Sequence, residues 1–321
     1  MNYYKHLTID ERERIMFLLN SGKNKFQIAK ILGRHHTTIG REVERNKPPK
    51  NYSASRAQKR YENKKKNCGA IPILKDPYVR NFVEEHLKLR WRAEEISAWV
   101  KKEKLPFKIS PSTIYRGYDT KLISHSLKQY FPQKKKNKRH KKESRQGKMQ
   151  DTVSIHKRPK IVDERKRIGD FEGDTVIGQR KTGSMLTFVD RASMYLIVGY
   201  IENRNKELVK QQTVELLKNN KVKTMTLDNG KEFQNHKEIE KQLKIKIYFC
   251  DPYSPWQRGL NEYMNRTLRE YFPKKINFAI LTKEEIEKAV NEINNRPRKR
   301  LNYYTPNQVF HNPRLLRKMC T

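Results

Sequence analysis

Residues 134–148 read KKKNKRHKKESRQGK, nine Lys or Arg against one Glu. A run of like charge with no apolar side chain has nothing to bury and repels itself, so no core forms through it. The run therefore reads as a linker between parts, and 321 residues leave room for two or three domains. The whole chain leans the same way, with 72 Lys plus Arg against 35 Asp plus Glu, a formal charge of +37. A polyanion offsets such an excess, which makes nucleic acid the first expected partner and an anionic membrane surface the second.

Other classes drop out. No apolar run approaches the ~18 residues that a membrane-spanning helix requires, and MNYYKHLTIDERER lacks the apolar stretch of a signal peptide. Cys68, Cys250 and Cys320 are too scattered for a zinc knuckle or a disulfide framework. A reducing, cytosolic setting is the expectation. With no glycine-rich phosphate loop, an ATP-driven motor is not expected.

Residues 1–48 read as three short helices. Thr8 and Glu11 have capping-box spacing, Asn24 caps a second helix that Gly33 breaks, and a third runs from about His36 to Asn46. A glycine-containing turn before the last helix makes a helix-turn-helix domain, with a plain three-helix bundle as the alternative. His35, His36, Thr38, Arg41 and Arg45 are the candidate DNA contacts. Residues 49–75 look like a basic linker. Residues 76–133 repeat the helical pattern, with Asp76-Pro77 and Ser110-Pro111 as helix starts. This second helix-turn-helix-like unit places Trp91 and Trp99 in its core. A second basic linker, 134–165, follows.

From residue 166 onward the pattern becomes strand-rich. Asp170–Ile177, Met185–Val189 and Tyr195–Ile201 read as three strands, followed by alternating helix and strand. The fold class is thus α+β multidomain: all-α helix-turn-helix units, then a mixed α/β domain at 166–321 whose order suits an RNase H-like sheet covered by helices.

Three acids occupy informative positions. Asp174 lies in FEGDTVIG, Asp228 directly follows strand VKTMTL, and Glu262 sits in a helix after SPWQRG. On that helix Leu260, Met264, Leu268 and Tyr271 make an apolar stripe, and Glu262 shares the opposite face with Arg258, Arg266 and Arg269, candidate DNA contacts. Taken alone, Glu262 fits ordinary charge pairing on an exposed helix. Together, three hard-oxygen ligands suit divalent ions that promote phosphodiester chemistry. Strand alternation puts Asp170, Glu172 and Asp174 on one side, so spacing alone does not choose among them.

FEGDTVIG (171–178), TLDNGKEF (226–233), YSPWQRGLNEYMNRTLREYFPK (253–274) and NRPRKRLNYYTPNQVF (295–310) resemble the DDE transposases of the IS-thirty (IS30) family of insertion sequences. HLTIDERERI with IAKILGRHHTTIGREVERN resembles that family's helix-turn-helix, and RWRAEEISAWV with STIYR its second DNA-binding unit, so the resemblance covers nearly the whole chain. It implies that Asp174, Asp228 and Glu262 are the catalytic, metal-binding triad. The last two are separated by 33 residues, the family's typical spacing. It also implies an RNase H-like, retroviral-integrase-like core, two Mg²⁺ (or Mn²⁺) ions per site, and double-stranded DNA partners, both terminal inverted repeats and target. A homodimer or higher oligomer on DNA, and a bacterial cytoplasmic, nucleoid-associated location, follow as expectations. The expected reaction frees a 3′-hydroxyl at the element's end and joins it to target DNA. A DNA-binding regulator that has lost catalysis and a nuclease without strand transfer are the alternatives.

Phe171 stands where the family often has Trp, and Tyr263 and Arg266 replace smaller or polar residues. Lys231 and Glu232 are candidate supports for the site, with exposed turn residues as the alternative. Trp256 is a candidate wedge for frayed DNA ends, or else packs on the catalytic helix. The charge is unevenly divided: residues 169–262 carry 15 basic and 13 acidic groups, whereas 1–133 carry 29 and 13 and 134–168 carry 15 and 4. The acids gather where the chain is nearly neutral.

Overall fold

The computed structural model describes residues 5–46, 51–66, 68, 71–131 and 151–319, in two compact units split after Pro72. The basic run 134–148 lies outside the described residues.

The first unit contains α1 (Ile9–Asn20), α2 (Lys25–Leu32), α3 (His36–Arg45) and α4 (Ala54–Lys66). Thr8 and Asn24 make the capping boxes that open α1 and α2. Gly33 ends α2 at φ 61°, a left-handed conformation that turns the chain into α3 at little steric cost. Ile15, Ile28 and Ile39 are fully buried between the helices. Where the sequence reads as a linker, α4 packs against α1. Its apolar contribution is only Ala54 and Ala57, too little to announce a helix face. Buried polar links hold the region instead: Arg12 Nε donates to Glu42 at 2.8 Å, Arg12 Nη1 to Gln58 of α4 at 2.6 Å, and the Tyr52 hydroxyl to Glu42 at 3.2 Å.

The second unit begins with α5 (Pro77–Lys88), α6 (Ala93–Lys102) and α7 (Pro111–Asp119), packed around Val83, Ile96 and Ile114. Asp76 and Ser110 cap α5 and α7, each with Pro in the first turn. Trp91 is buried and meets Trp99 edge-on, as core residues. The short α8 (Lys160–Glu164) precedes the sheet.

The strands are β1 (Asp170–Ile177), β2 (Ser184–Asp190), β3 (Leu196–Ile201), β4 (Thr224–Leu227) and β5 (Lys246–Phe249), in the order β3-β2-β1-β4-β5. β1–β3 form an antiparallel meander, and β4 and β5 add in parallel through α9 (Lys206–Leu217) and α10 (His236–Leu243). This mixed sheet is the RNase H-like layout expected from the strand order. α11 (Gly259–Tyr271) and α12 (Lys283–Asn294) cover one face through Leu260, Met264, Leu268 and Ile293, and α13 (Pro306–His311) and α14 (Pro313–Met319) follow. Phe171 is buried in the core on the other face, among Leu186, Val209 and Met225, so its place in the motif is a packing matter.

The sequence divides 76–133 from 166–321, yet the two parts belong to one compact unit. Arg296, 2% exposed, donates to Glu95 of α6 at 2.7 Å and to Glu270 of α11 at 3.1 Å. A buried arginine shared by two carboxylates couples the helical part to the sheet-bearing part, because breaking either pair strands a buried charge.

Candidate active site

β1 lies at the centre of the sheet, hydrogen-bonded to β2 on one side and β4 on the other. Asp174 projects from it, and Asp228 follows the C-terminal end of β4, where parallel strands open a crevice. The two carboxylates converge on one cation from α11's threshold: Arg258 Nη2 donates to Asp228 Oδ2 at 2.8 Å, and Nη1 lies 3.4 Å from Asp174 Oδ1. Nη1 also donates to the carbonyl of Gly173 at 2.8 Å, which locks the guanidinium over β1.

Asp174 is oriented on both oxygens. The Thr175 amide donates to Oδ1 at 2.8 Å, and Asn265 Nδ2, about two turns beyond Arg258 on α11, donates to Oδ2 at 2.7 Å. Asn265 is itself fixed by the Thr187 hydroxyl at 3.0 Å. Burial raises the Asp174 carboxyl above its ordinary range and Asp228 adds to the rise, while Arg258 opposes it. Burial pulls the Arg258 guanidinium down, but the two facing carboxylates outweigh it and hold it firmly charged.

Glu262 is exposed on the first turn of α11, on the side opposite buried Leu260 and Met264. Among the described residues no three His, Cys, Asp or Glu side chains lie close enough to share an ion. Asp174 and Asp228 fit a hard divalent cation, since their oxygens already converge on a positive charge. Among the described residues Glu262 forms no shared ion site with them.

Glu232 belongs to this crevice, although sequence offered an exposed turn as an equal reading. Its Oε1 accepts from the Thr175 hydroxyl at 2.9 Å. A Cβ at Gly230 would meet Glu232 Oε2 at 2.7 Å and Asp228 Oδ1 at 3.1 Å, so the glycine lets two acids close around it. Lys231 is exposed. Glu172 is neither a surface acid nor in the crevice. Fully buried, it pairs with Arg191 at 2.5 Å and accepts the Asn261 amide at 3.1 Å, which pins the start of α11 to β1. Asp170 is bound by Arg167 and by the Thr224 hydroxyl.

The candidate DNA contacts divide by environment. Arg266 is exposed. Arg269 is turned toward the carbonyls of Ile177 and Phe272, and Arg258 is taken by the acids. Trp256 is 74% exposed and does not pack on the catalytic helix. In the first unit Arg41 and Arg45 are exposed on α3. With Thr38 they line a small cavity to which α4 adds Arg60 and Lys64, residues the linker reading left out. His35 caps α3 by accepting from the Thr37 amide at 3.4 Å, and His36 stacks on Phe26, so both rings have partners within the unit.

Residues 3–46 match a helix-turn-helix domain model and residues 166–255 an integrase core domain model, which carries a general dependence on divalent metal. The chain is 35% identical over 95% of its length to the transposase for insertion sequence element IS4351 of Bacteroides fragilis, covering 95% of that protein. It is 34% identical over 95% of its length to transposase InsI for element IS30A of Escherichia coli (strain K12), covering 83% of it. A putative integrase of Spiroplasma virus SpV1-R8A2 B is 31% identical over 96% of this chain. With relatives this similar across nearly every residue, the chain belongs to the IS30 family of insertion-sequence transposases.

Proposed function

We propose that this protein binds the terminal inverted repeats of an insertion sequence and carries out metal-dependent cleavage and strand transfer there. The observation that carries this reading is the convergence of Asp174 and Asp228 on one cationic group at the head of the helix that bears Glu262. Mg²⁺ or Mn²⁺, two ions per site held by Asp174, Asp228 and Glu262, would supply charge neutralisation for the attacking and leaving oxygens of the phosphodiester.

The chain's own residues prepare that chemistry. Asn265 and the Thr175 amide hold the Asp174 carboxylate in one orientation, and Arg258 keeps the two acids from repelling each other before DNA arrives. Arg258, held between the two acids, and exposed Arg266 are the cationic groups at hand to meet a phosphate; a metal held by the acids would take over the charge neutralisation that Arg258 now supplies. Arg41, Arg45 and Thr38 on α3 contact the terminal repeat, with His35 setting the start of that helix. Two copies act together, since two element ends must be paired.

The test is the product formed from terminal-repeat DNA, target DNA and Mg²⁺. Joined DNA supports the proposal. Nicked DNA alone would indicate a nuclease, and binding without any cleavage a regulator.

A further inference from the structure

A second cavity, of about 490 Å³, opens beside the catalytic helix, walled by the first turn of α11, the start of α6, and the loop 298–303. Its size falls within the ~300–1,000 Å³ of pockets that hold one small ligand. Five cationic side chains line it against two acids, Glu94 and Glu95. Both acids are engaged elsewhere, Glu95 by Arg296 at 2.7 Å and Glu94 by the Tyr115 hydroxyl at 3.1 Å.

Arg298 is the residue that asks for a ligand. It is 2% exposed, yet among the described residues no carboxylate forms an ion pair with it, and Glu95 acts on it only from farther off. Nη1 donates to the Tyr263 hydroxyl and Nη2 to the carbonyl of Ile293, both at 3.0 Å, while Nε has no partner. A buried charge without a counter-ion in direct contact is costly, and an anion bound beside it would offset that cost. The wall is also costly in backbone. Arg165, Met194 and Tyr303 line the cavity at φ 56°, 62° and 59°, left-handed conformations that disfavour side chains and gather where function over-determines them. Lys299 and Arg300 are exposed at the mouth, whereas Met194, Leu260 and the rings of Tyr263 and Tyr303 give the interior its apolar surface.

We propose that this cavity receives one unpaired nucleotide of a DNA strand, its base against Tyr303 and Tyr263 and its phosphate held by Arg298 with Lys299 and Arg300. An aromatic and apolar interior suits the face of a base, and guanidinium groups suit its phosphate. The cavity shares Gly259, Leu260 and Tyr263 with the helical turn that carries Glu262, so a strand held there is anchored on the same helix as that acid. The inference rests on the reading of those acids as a DNA-processing site.

The test is equilibrium binding in EDTA, where chemistry is silent, of terminal-repeat duplexes that end blunt or carry a three-nucleotide single-stranded extension. Wild type should bind the extended duplex about tenfold more tightly. Tyr303→Asn, a residue that tolerates the left-handed backbone, and Arg300→Glu should each remove the preference while leaving blunt-duplex affinity and the melting temperature unchanged. Equal binding of both duplexes by wild type, or a preference that survives in both variants, would overturn the proposal. Free dAMP is the separate arm: saturable binding of dAMP by wild type without any preference for the extended duplex would place a free nucleotide in the cavity and overturn the DNA assignment. Because these readouts need no cleavage, a failure of strand transfer under Mg²⁺ would count against the catalytic reading and leave this result to stand by itself.

Discussion

Arg258 donates to the Asp228 carboxylate at 2.8 Å, and the same guanidinium stands 3.4 Å from Asp174. An internal cation thus occupies the space that the two acids would offer to metal. Arg258→Ala removes this competitor and leaves two carboxylates facing each other. Mn²⁺ should then bind about tenfold more tightly without DNA, equivalent to ~1.4 kcal/mol, while strand transfer falls. Titration calorimetry of the DNA-free protein checks this, and weaker Mn²⁺ binding in the variant would count against it.

Asn265 orients Asp174 from the helix that carries Glu262. Residues that orient metal ligands typically matter about 10–100-fold in affinity or activity. Asn265→Ala should lower the strand-transfer rate by that order with terminal-repeat binding retained. Rates in excess Mn²⁺ and gel-shift affinities separate the two effects, and an unchanged rate would show that Asp174 needs no such support.

Glu172 predicts a different outcome because its partners are structural. Glu172→Gln leaves Arg191 buried with only Asp163, at 3.4 Å, as a carboxylate partner. Loss of a buried pair costs about 3–5 kcal/mol, and the remaining partner points to the lower end. The urea midpoint should fall accordingly with the slope unchanged. Unchanged stability with weakened Mn²⁺ binding would instead place Glu172 at the metal.

The arrangement of residues explains what the sequence disclosed. Capping boxes at Thr8 and Asn24, Pro after Asp76 and Ser110, and the apolar stripe of α11 are local signals, and each element appears where they put it. Asp228 was legible because it directly follows a strand, whereas Asp174, inside β1, was singled out from Asp170 and Glu172 only by the family resemblance. The helix α4 was not, since it is held by Arg12, Gln58 and Tyr52 rather than by an apolar face. The union of the second helical part with the catalytic part was equally hidden, because it depends on Arg296 meeting Glu95, 201 residues away in the chain. The grip of Arg258 on both acids is likewise a tertiary fact. The sequence assigned it to DNA by charge alone.

On α3, Arg41 is exposed and shares its cavity with Arg45 and Lys64. As a phosphate contact, Arg41→Ala should weaken terminal-repeat and unrelated DNA alike and reduce the slope of log affinity against log salt by about 1. Affinities across a salt series test this. A loss confined to the terminal repeat, with the slope unchanged, would make Arg41 a base-reading residue.

The most direct measurement of the account as a whole is strand transfer by Asp174→Asn, Asp228→Asn and Glu262→Gln, assayed with terminal-repeat DNA, target DNA and Mg²⁺. Glu262 is the sharpest of the three, because among the described residues it shares no ion site with the other acids. Each variant should bind the terminal repeat nearly as well as wild type and yield neither cleaved ends nor joined product. Joined product from Glu262→Gln at a rate near wild type would contradict the triad, and with it the account of how this site works.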